Sequence, residues 1–400
     1  MSTVFKTTLG PILSLGKILG LINISYILES DGLLIKNINS QYYTFLEVSR
    51  MIVLIICTYI VHTNAFYYII EFRLVKFWFV VIAGRLSEKW TIKLINSIIQ
   101  FDENISLLSP AVILNDRKWF LSKTNWNYIL ISFLIYFIGF EVYAVYLWPP
   151  KDVNIYIIIV YFFGVPYITD YVVFITVFFY LVNIAYKFQT INNYWKFLPA
   201  GLVATSNNEW THHEIVMLIE NIRMLHAKLS EILKIFNLGY GLLLLHFFVF
   251  NFIDMIYLFY VMIKHEFISP NVSFIECIIH YLPLYIFKLQ IVISIMLIIV
   301  ATSWIKEKKN KIVSYLRLIR ISNLPVDIKI QIKTFMVQIS NSELDEITAF
   351  GFFNINMNLV VSMLVLLMTG ITTLIQMKNH PIILEMFNNT VRYRKNWVRN

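Results

Sequence analysis

The stretch LVVSMLVLLMTGITTLIQM, Leu359 to Met377, holds nineteen residues and no Asp, Glu, Lys or Arg. A helix rises about 1.5 Å per residue and about 20 apolar residues cross a hydrocarbon core, so this segment reads as a transmembrane helix. Six further runs upstream are long enough to do the same: Tyr43–Ala65, Phe66–Ala83, Tyr128–Trp148, Ile155–Val182, Ile235–Ile263 and Ile275–Ile299. The second is the weakest, because Glu71, Arg73 and Lys76 sit in its first half. Over all 400 residues, 58% are hydrophobic and 14% charged. Soluble chains are about 25% charged and about 45–50% apolar, so a soluble fold would expose a mostly greasy surface. The same arithmetic excludes disorder and nucleic-acid binding. The sequence predicts an all-α, polytopic membrane protein.

Charge placement orients it. The chain carries 33 Lys and Arg against 24 Asp and Glu. With the N-terminus in the cytosol, 22 of the 33 fall on inner segments, 7 on outer segments and 4 within spans. Cytosolic loops carry the excess of cations, so the N-terminus is expected inside and the C-terminus, after seven spans, outside. The basic tail from Arg392 to Arg399 runs against this pattern. The sequons at Asn271 and Asn388 fall outside and are candidate glycosylation sites; those at Asn23 and Asn104 fall inside. Residues 1–42 are expected as a cytosolic segment with an amphipathic or re-entrant helix, 43–300 as spans one to six, 301–358 as cytosolic helices, 359–377 as the last span and 378–400 as an external tail.

The inner loops are long but not disordered in composition. Ile215, Leu218, Ile222, Leu225, Leu229, Ile232 and Phe236 repeat at heptad spacing and predict a helix with a narrow apolar stripe leading into the fifth span. Val313, Leu316 and Ile319 suggest a similar extension beyond the sixth. The spans are therefore expected to continue into a cytosolic bundle, which either packs within one chain or also holds subunits together.

No catalytic pattern is present: the chain has no Gly-rich phosphate loop, H-E-x-x-H or G-x-S-x-G. Cys57 and Cys277 build neither a disulfide framework nor a zinc site, and adjacent His212 and His213 lack metal-ligand spacing. No enzyme activity and no cofactor are expected. The last span is more informative. Ser362, Leu366, Thr369, Thr373 and Gln376 share one helical face, with Thr372 beside them. Such a row either bonds to neighbouring helices or lines a pore. As a pore wall it lacks fixed charge and suits weak selection among small cations, with Leu366 and Ile375 or Met377 as apolar constrictions. In the outer halves of other spans, Glu141, Tyr146 and Trp148, Asp254 and Tyr257, and Glu276, His280 and Tyr281 combine aromatic walls with acids and a histidine. That mixture suits a small organic ligand, or equally an interfacial aromatic belt with paired charges. Asp170, Asp254 and Lys288 lie at membrane depth, where ionisable groups default to a functional reading.

The C-terminal third resembles the insect gustatory receptor family, within the insect chemoreceptor superfamily. That family ends its last span with Thr-Tyr, five hydrophobic residues and Gln-Phe. Thr369 and Gln376 stand at the first and eighth positions, with Gly370 in place of Tyr and Met377 in place of Phe. The stretches Phe335 to Gln338 and Gly351 to Asn356 look like the family's pre-pore helix and its Gly-Phe-Phe segment. The resemblance implies a tetrameric, ligand-gated cation channel in the plasma membrane of sensory neurons, opened by a small-molecule tastant. It implies that the last helix of each subunit lines the pore, with Gln376 and Met377 at the outer gate, and that cytosolic helices anchor related subunits in a homo- or hetero-tetramer. Gly370 is expected to leave space or a flexible point. A G-protein-coupled receptor is the first rival, but no D-R-Y or N-P-x-x-Y is in place. A secondary transporter is the second, but the halves show no repeat.

Overall fold

The computed structural model describes residues 4–29, 33–36, 41–64, 68–107, 167–204, 212–266, 274–318, 324–342, 346–377 and 380–381, with scattered positions between 128 and 146. Among them are α1 (Val4–Ile18), β1 (Tyr26–Leu28), β2 (Leu34–Lys36), α2 (Gln41–Asn64), α3 (Tyr68–Leu107), α4 (Tyr167–Ala204), α5 (His212–Glu266), α6 (Phe274–Leu318), α7 (Val326–Ser342), β3 (Thr348–Ala349), β4 (Phe353–Asn354) and α8 (Met357–Gln376). The described positions between 128 and 146 are helical too. The fold is all-α apart from two short hairpins, as the sequence predicts.

Five described helices, α2, α4, α5, α6 and α8, are long and apolar enough to cross a membrane. Helix α3, which contains most of the expected second span, is not among them. Its composition is broken by Arg73 and Lys76, yet Lys76 is only 2% exposed because the fold supplies it with partners. Ten of the 21 residues of the expected third span, and residues 155–166 of the fourth, lie outside the described residues.

The spans do not stop at a membrane thickness. Helices α3, α4, α5 and α6 hold 40, 38, 55 and 45 residues. Their extensions pack together around α5, which touches α3, α4, α7 and α8. Ile215, Ile222, Leu225, Leu229, Ile232 and Phe236 are buried and Leu218 is half-buried. The stripe is wider than the narrow heptad seam expected, because Ile219, His226, Ser230 and Leu233 are buried beside it. A helix enclosed on several sides needs more than a two-residue seam. Polar ties close the extensions: Lys187 of α4 pairs with Asp102 of α3, and Arg223 of α5 donates to Gln338 of α7 at 3.2 Å. Ile312 and Leu316 are buried on α6; Ile319 lies outside the described residues.

The N-terminal segment belongs to the same body. Helix α1 buries Leu9, Ile12 and Leu13 and packs on α4. The Lys17 ammonium donates to the Tyr26 carbonyl at 2.6 Å. The Asn96 amide of α3 accepts from the Leu34 N–H at 2.9 Å and donates to its carbonyl at 3.4 Å. Arg50 of α2 joins the Lys17 carbonyl to Glu47, which also pairs with Arg85 of α3.

The second hairpin aims the last helix. Thr348 pairs with Asn354 and Ala349 with Phe353. The chain turns through Phe350 and Gly351, with φ of 53° and 80°. The hairpin lies against α5 at Gly241, where a Cβ would stand 3.0 Å from the Phe350 nitrogen, so any side chain there would push the hairpin back. Asn237 of α5 donates to the Glu346 carbonyl at 2.8 Å, and Lys306 of α6 donates to its carboxylate at 2.6 Å. Two residues after β4, Asn356 caps α8 by accepting from the Leu359 N–H at 3.2 Å.

Candidate functional site: the outward face of the last helix

Helix α8 has no buried residue. Its half-buried positions Val360, Met363, Leu367, Gly370, Ile371 and Leu374 recur at helical spacing and form the inner face, which packs on α5 and α6. Ser362, Leu366, Thr369, Thr373 and Gln376 are all exposed, as are Ile375 and Met377. The whole polar row therefore points away from the protein's own bundle.

Among the described residues, these hydroxyls bond within their own helix. Ser362 donates to the Asn358 carbonyl at 3.2 Å, Thr369 to Val365 at 2.9 Å, Thr372 to Met368 at 2.8 Å and Thr373 to Thr369 at 2.9 Å. Each bond satisfies the hydroxyl proton on its own helix and leaves oxygen lone pairs facing outward.

The space expected at Gly370 is filled. Ile256 of α5 seats there, so that a Cβ on Gly370 would lie 2.8 Å from the Ile256 Cδ1 atom. Gly370 serves close approach of α8 to α5, two helices meeting at a notch.

A second constellation lies where α3, α4 and α5 meet. Lys76 donates to Asp170 at 2.5 Å, to Asn251 at 3.0 Å and to Asp254 at 3.1 Å. An ammonium has three protons, and these three acceptors use them all. Beside it His246, 1% exposed, stacks on Phe79 at 5.2 Å and meets Phe250 at 4.5 Å between ring centroids. The sequence marks Asp170 and Asp254 as costly charges at depth, and the structure answers them with a common cation. Asn251 carries no signal in the sequence. Nor does the pairing itself, since Lys76 is 94 residues from Asp170 and 178 from Asp254.

The other expected ligand-contacting residues are only partly placed. Tyr146 is 78% exposed. Tyr257 lies in α5, and Glu276, His280 and Tyr281 lie in α6, with side chains outside the described set. Glu141, Trp148, Asn271 and Asn388 lie outside the described residues. A cavity of about 50 Å³ opens near the start of α8, lined among others by Ser303, Lys306, Lys309, Asn310, Glu346 and Asn356. Ligand pockets for small organic molecules run to about 300–1,000 Å³, so this one suits a few waters and no such ligand. Among the described residues no group of His, Cys, Asp and Glu is placed to hold a metal ion.

Comparison with known proteins agrees with this architecture. Comparison with curated protein sequences gives no match. Among solved structures, the insect olfactory receptor OR5 from Machilis hrabei in complex with eugenol is similar, with a TM-score of 0.58 at 14% identity, covering 94% of this chain and 100% of that one. A second structure of OR5 from Machilis hrabei gives a TM-score of 0.50 at 13% identity over 92% of this chain and 97% of that one. At that identity the likeness shows a common fold of a helical, polytopic membrane protein. The family model described as 7tm Chemosensory receptor matches residues 9–379. That match spans nearly the whole chain, and the chain belongs to the 7tm Chemosensory receptor family.

Proposed function

We propose that the protein is a gustatory receptor that works as a ligand-gated, weakly selective cation channel. Family membership supports a chemoreceptor channel, and the observation that carries the pore reading is the outward polar row of α8. A face made of Ser362, Thr369, Thr373 and Gln376, all exposed, is suited to water and ions when several copies surround a common axis. We assign Leu366, Ile375 and Met377 to apolar constrictions on that wall. Weak selectivity follows from the absence of fixed charge between Leu359 and Met377. The reading includes an N-terminus inside the cell, a tetramer of this chain or of related subunits, and residence in the plasma membrane of a sensory neuron.

The ligand in this reading is a small-molecule tastant held in the outer half of the spans by Glu141, Tyr146, Trp148, Tyr257, Glu276, His280 and Tyr281. Asp254 belongs to the same set, and its pairing with Lys76 fixes where its carboxylate sits. The OR5 structure in complex with eugenol supports a small organic ligand by analogy of fold. Recording from cells that express the chain, during exposure to a chemically diverse tastant panel, tests the reading. Ligand-evoked channel currents with similar permeability to sodium and potassium are expected. Responses that need a G protein and carry no channel current would contradict it.

A further inference from the structure

The Lys76 cluster and the Gly370 notch lie on opposite sides of one helix. On α5, Asn251 and Asp254 are one turn apart and both accept from Lys76. Ile256, two residues beyond Asp254, enters the notch at Gly370. At 3.6 residues per turn, Ile256 lies about 160° around the helix from Asp254 and about 140° from Asn251. Helix α5 is thus gripped on one face by α3 and α4 and touches the last helix with the other. Gly370 in turn follows Thr369 of the outward row, so a movement of α5 at Ile256 is delivered next to that row.

We propose that Lys76 is a positioning residue for gating. By fixing Asn251 and Asp254 to Asp170, it holds Ile256 in the Gly370 notch and so sets the resting position of α8. The proposal rests on the pore reading of α8 for its consequence in current, while the mechanical link itself is independent of it. The cluster suits this task because each of its three helices supplies a group. An ammonium with all three protons engaged and 2% exposure has one position available to it. The notch suits it because packed interfaces shift between discrete arrangements and do not deform continuously.

The test has one arm that needs no current. In the full chain with Cys57 and Cys277 replaced by Ser, Ile256→Cys and Gly370→Cys are introduced together and oxidised in membranes. A disulfide requires Cα atoms within about 7 Å, so its rate of formation reads the seat directly. Lys76→Met is expected to slow cross-linking at least about five-fold, the size of a typical coupling between sites. Should Lys76→Met fail to fold, the charge-neutral combination of Lys76→Met with Asp170→Asn and Asp254→Asn leaves no buried carboxylate uncompensated, and it is expected to slow cross-linking likewise. The second arm reads ligand-free current per surface channel. Lys76→Met and Ile256→Ala are expected to change it by a similar factor, and the double variant no further than either alone, with the sodium-to-potassium permeability ratio unchanged. Cross-linking within about two-fold of the parent in both Lys76 variants, or effects that multiply in the double variant, would overturn the proposal. A parent chain that passes no current would count against the channel reading, and the cross-linking arm would still decide the link.

Discussion

Helices α2 and α8 are of similar length and hydropathy, and neither is wrapped by the rest of the chain, yet their exposed faces differ in kind. Along the middle of α2 the exposed residues are Phe45, Val48, Ile52, Val53, Ile55, Ile56 and Tyr59, all apolar or aromatic. Its two aliphatic hydroxyls in that stretch, Ser49 and Thr58, are half-buried, and Thr58 accepts from the Trp78 indole of α3 at 3.0 Å. Helix α8 differs: Ser362, Thr369, Thr372, Thr373 and Gln376 are all outward, set among exposed Val361, Leu364, Val365, Leu366 and Met368, while the face against α5 and α6 is apolar throughout. Lipid asks for the arrangement of α2 and gains nothing from that of α8. Mean hydropathy does not separate the two helices. The direction of the few polar atoms does.

Placing one charge on each face should break the comparison most visibly. Lys at the centre of a lipid-facing helix costs about 2.5–3.5 kcal/mol on insertion scales, so Ile52→Lys is expected to deplete surface protein measured by biotinylation. Thr369→Lys should leave surface protein near normal and cut cation current to about a tenth or less, because a water-lined wall hydrates the ammonium while its charge repels cations. Equal loss of surface protein for both would place α8 against lipid. Gln376→Ala is a milder probe on the same wall. It should shift the sodium-to-potassium permeability ratio by up to about two-fold with assembly intact, whereas an unchanged ratio would remove Gln376 from the permeation path.

Two smaller effects sharpen the contrast from the other side. Thr58→Val removes the acceptor of a part-buried indole and should destabilise the protein by about 1–3 kcal/mol, seen as earlier loss of the monodisperse peak on heating, with permeability ratios unchanged. Asn356→Ala removes the cap of α8 and is expected to cost about 1 kcal/mol in the same assay. An effect of Thr58→Val on ion selection would contradict a purely inward role for that hydroxyl.

Much of this was legible in the sequence, and for physical reasons. The expected span Leu359–Met377 and helix α8 differ by two residues at the start and one at the end, because a charge-free run bounded by Asn356 and Lys378 has little freedom. The common face of Ser362, Thr369, Thr373 and Gln376 follows from helical period alone. The direction of that face does not, since period fixes which residues share a side and not what the side meets. The heptad stripe on α5 was likewise visible, but its true width depended on α3, α4 and α7 closing over Ile219, His226 and Leu233. Gly370 illustrates the limit most plainly. A missing side chain reads as space in one dimension, and only the fold brings Ile256 into it. Lys76 weakens the second span together with Glu71 and Arg73, and its acceptors on α4 and α5 are beyond any local pattern.

The central claim is that the outward row of α8 faces water inside an ion path. Cysteine substitution followed by a charged, membrane-impermeant thiol reagent tests it most directly, applied to open channels with native Cys57 and Cys277 replaced. Thr369→Cys, Thr373→Cys and Gln376→Cys are predicted to be modified, with the current changed in each case. Leu367→Cys on the inner face and Ile52→Cys on α2 are predicted to stay silent. Modification that leaves the current untouched at all three outward positions, or equal reactivity on the inner face of α8, would contradict the account.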